Sequence, residues 1–203
     1  MILYGAPMPA PNPRRVRIFL AEKGIELPET PVNIMKREHK SPEHLARNSL
    51  GQVPTLELDD GTTISETVAI CRYFEEIQPD PPLFGTGPVG KAQVEMWIRR
   101  VELRVMNPVG SFWVHAHPYT AALLTQYKDF GESNRETYKG VQKWLDRELA
   151  DRPFLAGEAY SMADICLLST IDFAEWIGLT VDEGNANLLA WHARVKARPS
   201  AGA

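Results

Sequence analysis

Apolar positions change their rhythm once along the chain, near residue 79. Before that point short apolar runs alternate with helical stripes. Met1 to Tyr4 is an apolar run suited to a buried strand, and it meets Gly5 and the prolines 7, 9, 11 and 13. Asn12-Pro13 reads as a helix start, with Asn as N-cap and Pro at the first helical position. Val16, Phe19 and Leu20 follow at helical spacing, and Gly24 is a natural stop. Pro31 to Met35 predicts a second strand, and Ser41-Pro42-Glu43 repeats the cap-then-proline signal for a short helix ending near Asn48. Thr55-Leu56-Glu57-Leu58 alternates, Asp59-Asp60-Gly61 turns and Thr62-Thr63-Ile64 returns, the pattern of a β-hairpin. From Ser65 a further helix places Ile70, Tyr73, Phe74 and Ile77 at i, i+3, i+4 and i+7. The order β-α-β-α-β-β-α predicts a small α/β domain.

The stretch from Pro79 to Gly90 is rich in proline and glycine and reads as a linker. Beyond it the period is helical throughout, with Val94, Trp97, Ile98 and Val101 on one stripe and Leu188, Trp191, His192 and Val195 on another. The expected fold class is therefore α/β followed by all-α: an α/β domain over 1–78, a linker over 79–88 and a helical bundle over 89–203. His44 fits a helix surface and His192 a core position.

Composition narrows the partners. A net charge of −4 gives no reason to expect nucleic acid or an anionic membrane. No apolar run approaches the roughly 20 residues of a membrane span, and the N-terminus lacks the pattern of a signal peptide. Cys71 and Cys166 form no CxxC pair, which argues against a dithiol or zinc site and for buried free thiols. A cytoplasmic location is the expectation, and no metal site is expected.

The stretch Asn48-Ser49-Leu50-Gly51-Gln52-Val53-Pro54, then Asp60-Gly61 and Ser65-Glu66-Thr67, resembles the glutathione transferases in order and spacing. Ala156-Gly157 followed by Ser161-Met162-Ala163-Asp164-Ile165 resembles the helical domain of the same family. The resemblance implies a thioredoxin-like N-terminal domain, glutathione as co-substrate and a homodimer. It also implies a cis Val53-Pro54 bond that turns the Val53 main chain toward the cysteinyl residue of glutathione, a short β-addition. Glu66 and Thr67, at a helix N-terminus, would take the γ-glutamyl end. His39, Lys40 and Gln52 would take the glycine carboxylate; a solvated basic turn at His39-Lys40 is the alternative. Ser161 and Asp164 read as a capping box, structural rather than catalytic.

Such an enzyme stabilises the glutathione thiolate. Tyr4 lies within the first strand, and Ala10 stands where related classes carry a serine, so the usual hydroxyl is missing. Asn12 is one substitute, similar to the asparagine of the Nu class, or else only a helix cap. Asn107, Ser111 and His115 share one helix face, and Ser111 or His115 could hold a water or act as a base; a solvated stripe is the alternative. Pro7, Met8, Phe112, Trp113 and Tyr119 are candidate walls for the second substrate or, equally, core. The leading reading is a detoxifying transferase that conjugates glutathione to small, mainly apolar electrophiles. Glutathione-dependent disulfide reduction and non-catalytic ligand binding are the alternatives.

Overall fold

The first strand, β1 (Ile2–Gly5), alternates as a half-buried strand should, with Leu3 and Gly5 inward and Tyr4 half-buried on the other face. It pairs in parallel with β2 (Glu29–Pro31) and antiparallel with β3 (Thr55–Glu57), which pairs antiparallel with β4 (Thr63–Ser65). The sheet order is β2-β1-β3-β4. Helices α1 (Pro11–Lys23), α2 (Pro42–Arg47) and α3 (Thr67–Ile77) complete the expected βαβαββα order. Val16, Ile18 and Phe19 of α1 and Ile70, Cys71 and Phe74 of α3 are buried, as are Leu3 and Leu56 of the sheet. The computed structural model describes residues 1–203, which cluster into two units: 1–83 with 199–203, and 84–198.

Several boundaries differ from the sequence reading, each for a local reason. The second strand is Glu29–Pro31, not Pro31–Met35. The Asn33 side chain accepts the Lys36 amide at 3.0 Å, and the Arg37 amide bonds the Ile34 carbonyl at 3.0 Å, so a turn replaces the strand. Helix α1 begins at Pro11 with Ala10 as N-cap, so Asn12 is its second residue and caps nothing. A proline at the first helical position was the right signal applied to the wrong one of two prolines. Ser65 closes β4 rather than opening α3, whose N-cap is Glu66. Ile77 ends the predicted stripe 54% exposed. Elsewhere the signals hold: the Ser41 hydroxyl accepts the His44 amide at 3.2 Å, and Gly24 closes α1 at φ 64°.

Residues 78–83 belong to the first unit because the buried Lys23 ammonium holds them. It pairs with Glu75 at 2.6 Å and donates to the carbonyls of Gln78 at 2.8 Å, Pro79 at 3.2 Å and Pro81. The C-terminal tail joins the same unit, with Arg14 donating to the Ala201 carbonyl at 2.8 Å. The expected limits at 78 and 89 missed both ties, because neither a lysine nor an arginine announces its main-chain acceptors in the sequence.

The second unit is helical, as expected: α4 (Gly87–Arg100), α5 (Asn107–His115), α6 (Lys128–Glu148), α7 (Met162–Trp176) and α8 (Ala186–Lys196). Between α4 and α5 the chain stays helical, but residues 101–106 adopt π geometry. Pro108 lacks an N–H and crowds the carbonyl four residues back, so the preceding turn widens. Helix α7 is buried almost all round, and His192 of α8 is tied to it by a 2.7 Å hydrogen bond from its Nε2 to the Asp172 carboxylate. Both cysteines are buried free thiols.

Asp164 organises the start of α7. Its carboxylate accepts from the Ser161 amide and hydroxyl at 3.0 Å, the Leu155 amide at 2.9 Å and the Trp191 indole at 2.9 Å. Burial holds its carboxyl above the usual carboxylate range, and these donors offset only part of that rise. Asp164→Ala leaves three buried N–H groups without an acceptor, at about 1–3 kcal/mol each. It is expected to lower unfolding stability by about 3 kcal/mol or more in denaturant titration. A loss under 1 kcal/mol would contradict this role.

Candidate active site

The register of the sheet gathers the candidate residues of the first unit at one edge. Tyr4 stands opposite Thr55, and Thr55 opposite Ser65. The C-terminal end of β1, the N-terminal end of β3 and the C-terminal end of β4 therefore lie side by side. β1 leads into the turn before α1, the 52–54 segment enters β3, and β4 leads into Glu66-Thr67. Because β2 runs parallel to β1, with Gly5 opposite Pro31, its exit toward His39-Lys40 lies at the same end. Four loops and the N-termini of α1 and α3 thus share one rim, an arrangement suited to an anionic ligand.

The 48–54 loop is built from within. The Asn48 side chain accepts the Leu50 amide at 3.1 Å and donates to the Gln52 carbonyl at 3.0 Å, and the Gly51 amide bonds the Asn48 carbonyl at 2.7 Å. Val53-Pro54 is cis. His44, expected at a helix surface, is 3% exposed, and its Nε2 lies 2.9 Å from the same Gln52 carbonyl. The helical stripe of α2 did not disclose this, because its short amphipathic pattern gives no hint that a polar ring turns inward. Lys40 donates to the Leu50 carbonyl at 2.8 Å, so its ammonium is directed at this loop. His39 Nδ1 is buried without a hydrogen-bond partner. Burial, then the nearby Lys40, His44 and Arg37 charges, hold its imidazole below the usual histidine range, favouring the neutral form.

Glu66 takes φ 70° and ψ 122°, a conformation that costs a non-glycine residue about 1–3 kcal/mol and collects at ligand sites. Its side chain is exposed, while Thr67 behind it is 6% exposed. At the other helix end, Pro11 and Pro13 have no N–H, and the Ala10 amide bonds the Pro7 carbonyl at 3.2 Å. The Asn12 amide is left as the first-turn N–H with no main-chain acceptor. Tyr4 is not available for such a role: burial and a hydrogen bond to Glu57 push its phenol up, and the Arg47 guanidinium lies 4.3 Å from its ring centre.

In the second unit, Asn107 is exposed while Ser111 and His115 are half-buried. The Tyr127 amide lies 3.4 Å from His115 Nδ1, and the Tyr127 and Phe130 rings flank the imidazole at 5.6 Å and 5.4 Å. Phe112 is core, 3% exposed under the Arg135 guanidinium at 4.5 Å, so it is no pocket wall. Trp113 and Tyr119 stack at 5.4 Å beside Trp176, and Tyr119 and Trp176 are about half exposed. Trp176 was not singled out in the sequence, where it falls on the buried α7. Asp172, Glu175 and His192 bring ligand atoms within 4.8 Å of one another, but the Lys196 ammonium already stands 3.4 Å from Asp172.

Comparison with known proteins adds an independent line. Residues 10–77 match the glutathione S-transferase N-terminal domain and residues 112–199 the C-terminal domain. The chain is 40% identical over 204 residues to glutathione S-transferase 2 of Saccharomyces cerevisiae, covering 98% of this chain and 87% of that protein. Its structure is similar to the crystal structure of Gtt2 from Saccharomyces cerevisiae (TM-score 0.92, 38% identity, 100% of this chain and 99% of that one). A glutathione S-transferase domain-containing protein of Marinobacter aquaeolei VT8 is similar to the same degree (TM-score 0.92, 37% identity, 98% and 99%). With both family domains matched in order and relatives aligned end to end, the chain belongs to the glutathione S-transferase family, enzymes whose co-substrate is glutathione.

Proposed function

We propose that the protein conjugates the glutathione thiolate to small, mainly apolar electrophiles, a detoxifying reaction of the cytoplasm. The observation that carries this reading is the shared rim: the cis Val53-Pro54 loop beside the Glu66-Thr67 helix end and the first turn of α1. In the proposed pose the Val53 main chain pairs the cysteinyl residue, with Pro54 holding the turn. Glu66 contacts the γ-glutamyl ammonium, and the Thr67 end of α3 takes the γ-glutamyl carboxylate. His39, Lys40 and Gln52 face the glycine carboxylate. A neutral His39 serves there as a hydrogen-bond donor, with Lys40 supplying charge.

A free thiol titrates near 8.5, and lowering it by two units requires about 2.7 kcal/mol of preference for the thiolate. Asn12 supports that requirement twice over, through its side-chain amide and through a main-chain N–H at the positive end of α1. Ser111 and His115, on one face of α5, are the second pair proposed to take part in catalysis. The Tyr127 amide at His115 Nδ1 favours the tautomer with hydrogen on Nε2, so His115 would donate to a water rather than act as base. The half-exposed rings of Tyr119 and Trp176, with the half-buried Trp113 between them, suit an apolar second substrate.

Three outcomes test the reading. Glu66→Ala is expected to weaken glutathione binding by about tenfold or more in calorimetry, the size of one hydrogen bond to a charged group; unchanged affinity would remove the assigned pose. Asn12→Ala is expected to raise the pKa of the bound thiol by about one unit, read from thiolate absorbance, with affinity nearly intact. A thiol pKa that does not move would leave Asn12 without a catalytic part. Sedimentation should give a homodimer, twice the 22.8 kDa of the chain; a monomer at assay concentration would contradict it.

A further inference from the structure

Three side chains converge on one main-chain oxygen. His44 Nε2 lies 2.9 Å, Asn48 Nδ2 3.0 Å and Thr55 Oγ1 3.3 Å from the Gln52 carbonyl. A carbonyl only accepts, so His44 carries a proton on Nε2. The three donors are 3%, 6% and 0% exposed, so water does not compete for the oxygen, and a lost donor there is not replaced. The rest of the loop is equally constrained. Gly51, at φ 56°, backs onto the His39 carbonyl, which a Cβ would meet at 2.6 Å.

The consequence follows from peptide geometry. The Gln52-Val53 bond is not among the cis bonds, so its C=O and N–H lie in one plane and point in opposite directions. Holding the Gln52 carbonyl inward therefore aims the Val53 N–H outward. We propose that His44 and Asn48 are positioning residues for glutathione: their grip on the Gln52 carbonyl presents the Val53 amide to the ligand main chain. This role rests on the reading above that Val53 pairs the cysteinyl residue. Neither side chain touches the ligand; both act through the peptide they hold. His44 also packs edge-on to Tyr4, with ring centres 6.4 Å apart, a contact that a phenyl ring preserves and an amide does not.

That distinction supplies the test. His44→Phe keeps a ring beside Tyr4 and removes the donor. His44→Gln loses the ring but carries an amide nitrogen the same number of bonds from Cα as Nε2. Glutathione binding by calorimetry, KM and kcat for an aryl halide, and Tm are measured for each. His44→Phe is expected to weaken glutathione binding and raise its KM about tenfold, with kcat at saturating glutathione unchanged. His44→Gln is expected to return affinity to within about threefold of wild type. Should His44→Phe not fold, Asn48→Asp serves instead, since it keeps the acceptor for the Leu50 amide but sets an oxygen against the Gln52 carbonyl; the same loss is expected. Equal affinity in wild type and the donor-less variant overturns the positioning role, as does a His44→Gln no better than His44→Phe, or a loss of kcat that tracks Tm. Wild-type protein that fails to bind glutathione overturns the reading of the site, and the positioning role with it.

Discussion

A trans peptide cannot send its carbonyl and its N–H the same way, and at Gln52-Val53 that constraint fixes which edge of the chain is turned outward, the edge proposed to meet glutathione. The carbonyl is turned into the protein by His44 from α2, by Asn48 from the loop and by Thr55 from the start of β3. An outward amide at Val53 is what remains. The sheet supplies the surroundings: the Tyr4–Thr55–Ser65 row brings the ends of β1, β3 and β4 together, and helices α1 and α3 start from that edge. Strand pairing, rather than any one side chain, explains why residues 12, 53 and 66 belong to a single rim.

The main chain contributes to the electrostatics of the rim. Two helix N-termini present unsatisfied N–H groups, and in α1 the two flanking prolines concentrate that property on Asn12. Of the basic side chains on the 36–40 turn, Lys40 reaches the Leu50 carbonyl and burial favours neutral His39, while the Glu66 carboxylate is exposed. The positive φ at Glu66 fits the same picture, since the strained residue stands where the chain leaves the sheet and enters α3.

Much of the fold was legible because its signals are local. The Asp59-Asp60-Gly61 hairpin, the Ser41 cap, the Gly24 stop and the stripes through Trp97 and Trp191 each depend on neighbours within a few residues. The failures share the opposite property. Residues 34–37 form a turn because Asn33 outcompetes a strand, and α1 starts one proline earlier than expected, so Asn12 is no cap. Lys23 gathers three carbonyls 55 to 58 residues away. In the candidate site, the Asn48–Pro54 motif drew attention to this loop but not to His44, whose contact with the Gln52 carbonyl depends on which way one ring of a short helix turns. Likewise Phe112 and Trp113 are adjacent and equally apolar, and only packing separates a core ring from one beside the exposed Trp176.

The measurement that bears most directly on the account is a crystal structure of the protein with glutathione bound. The account predicts the cysteinyl carbonyl about 3 Å from the Val53 nitrogen, a hydrogen-bond distance. It also predicts the γ-glutamyl carboxylate at the N-terminus of α3, with the Gln52 carbonyl still facing His44. A ligand seated elsewhere, or one bound with the Val53 amide facing water, would contradict it.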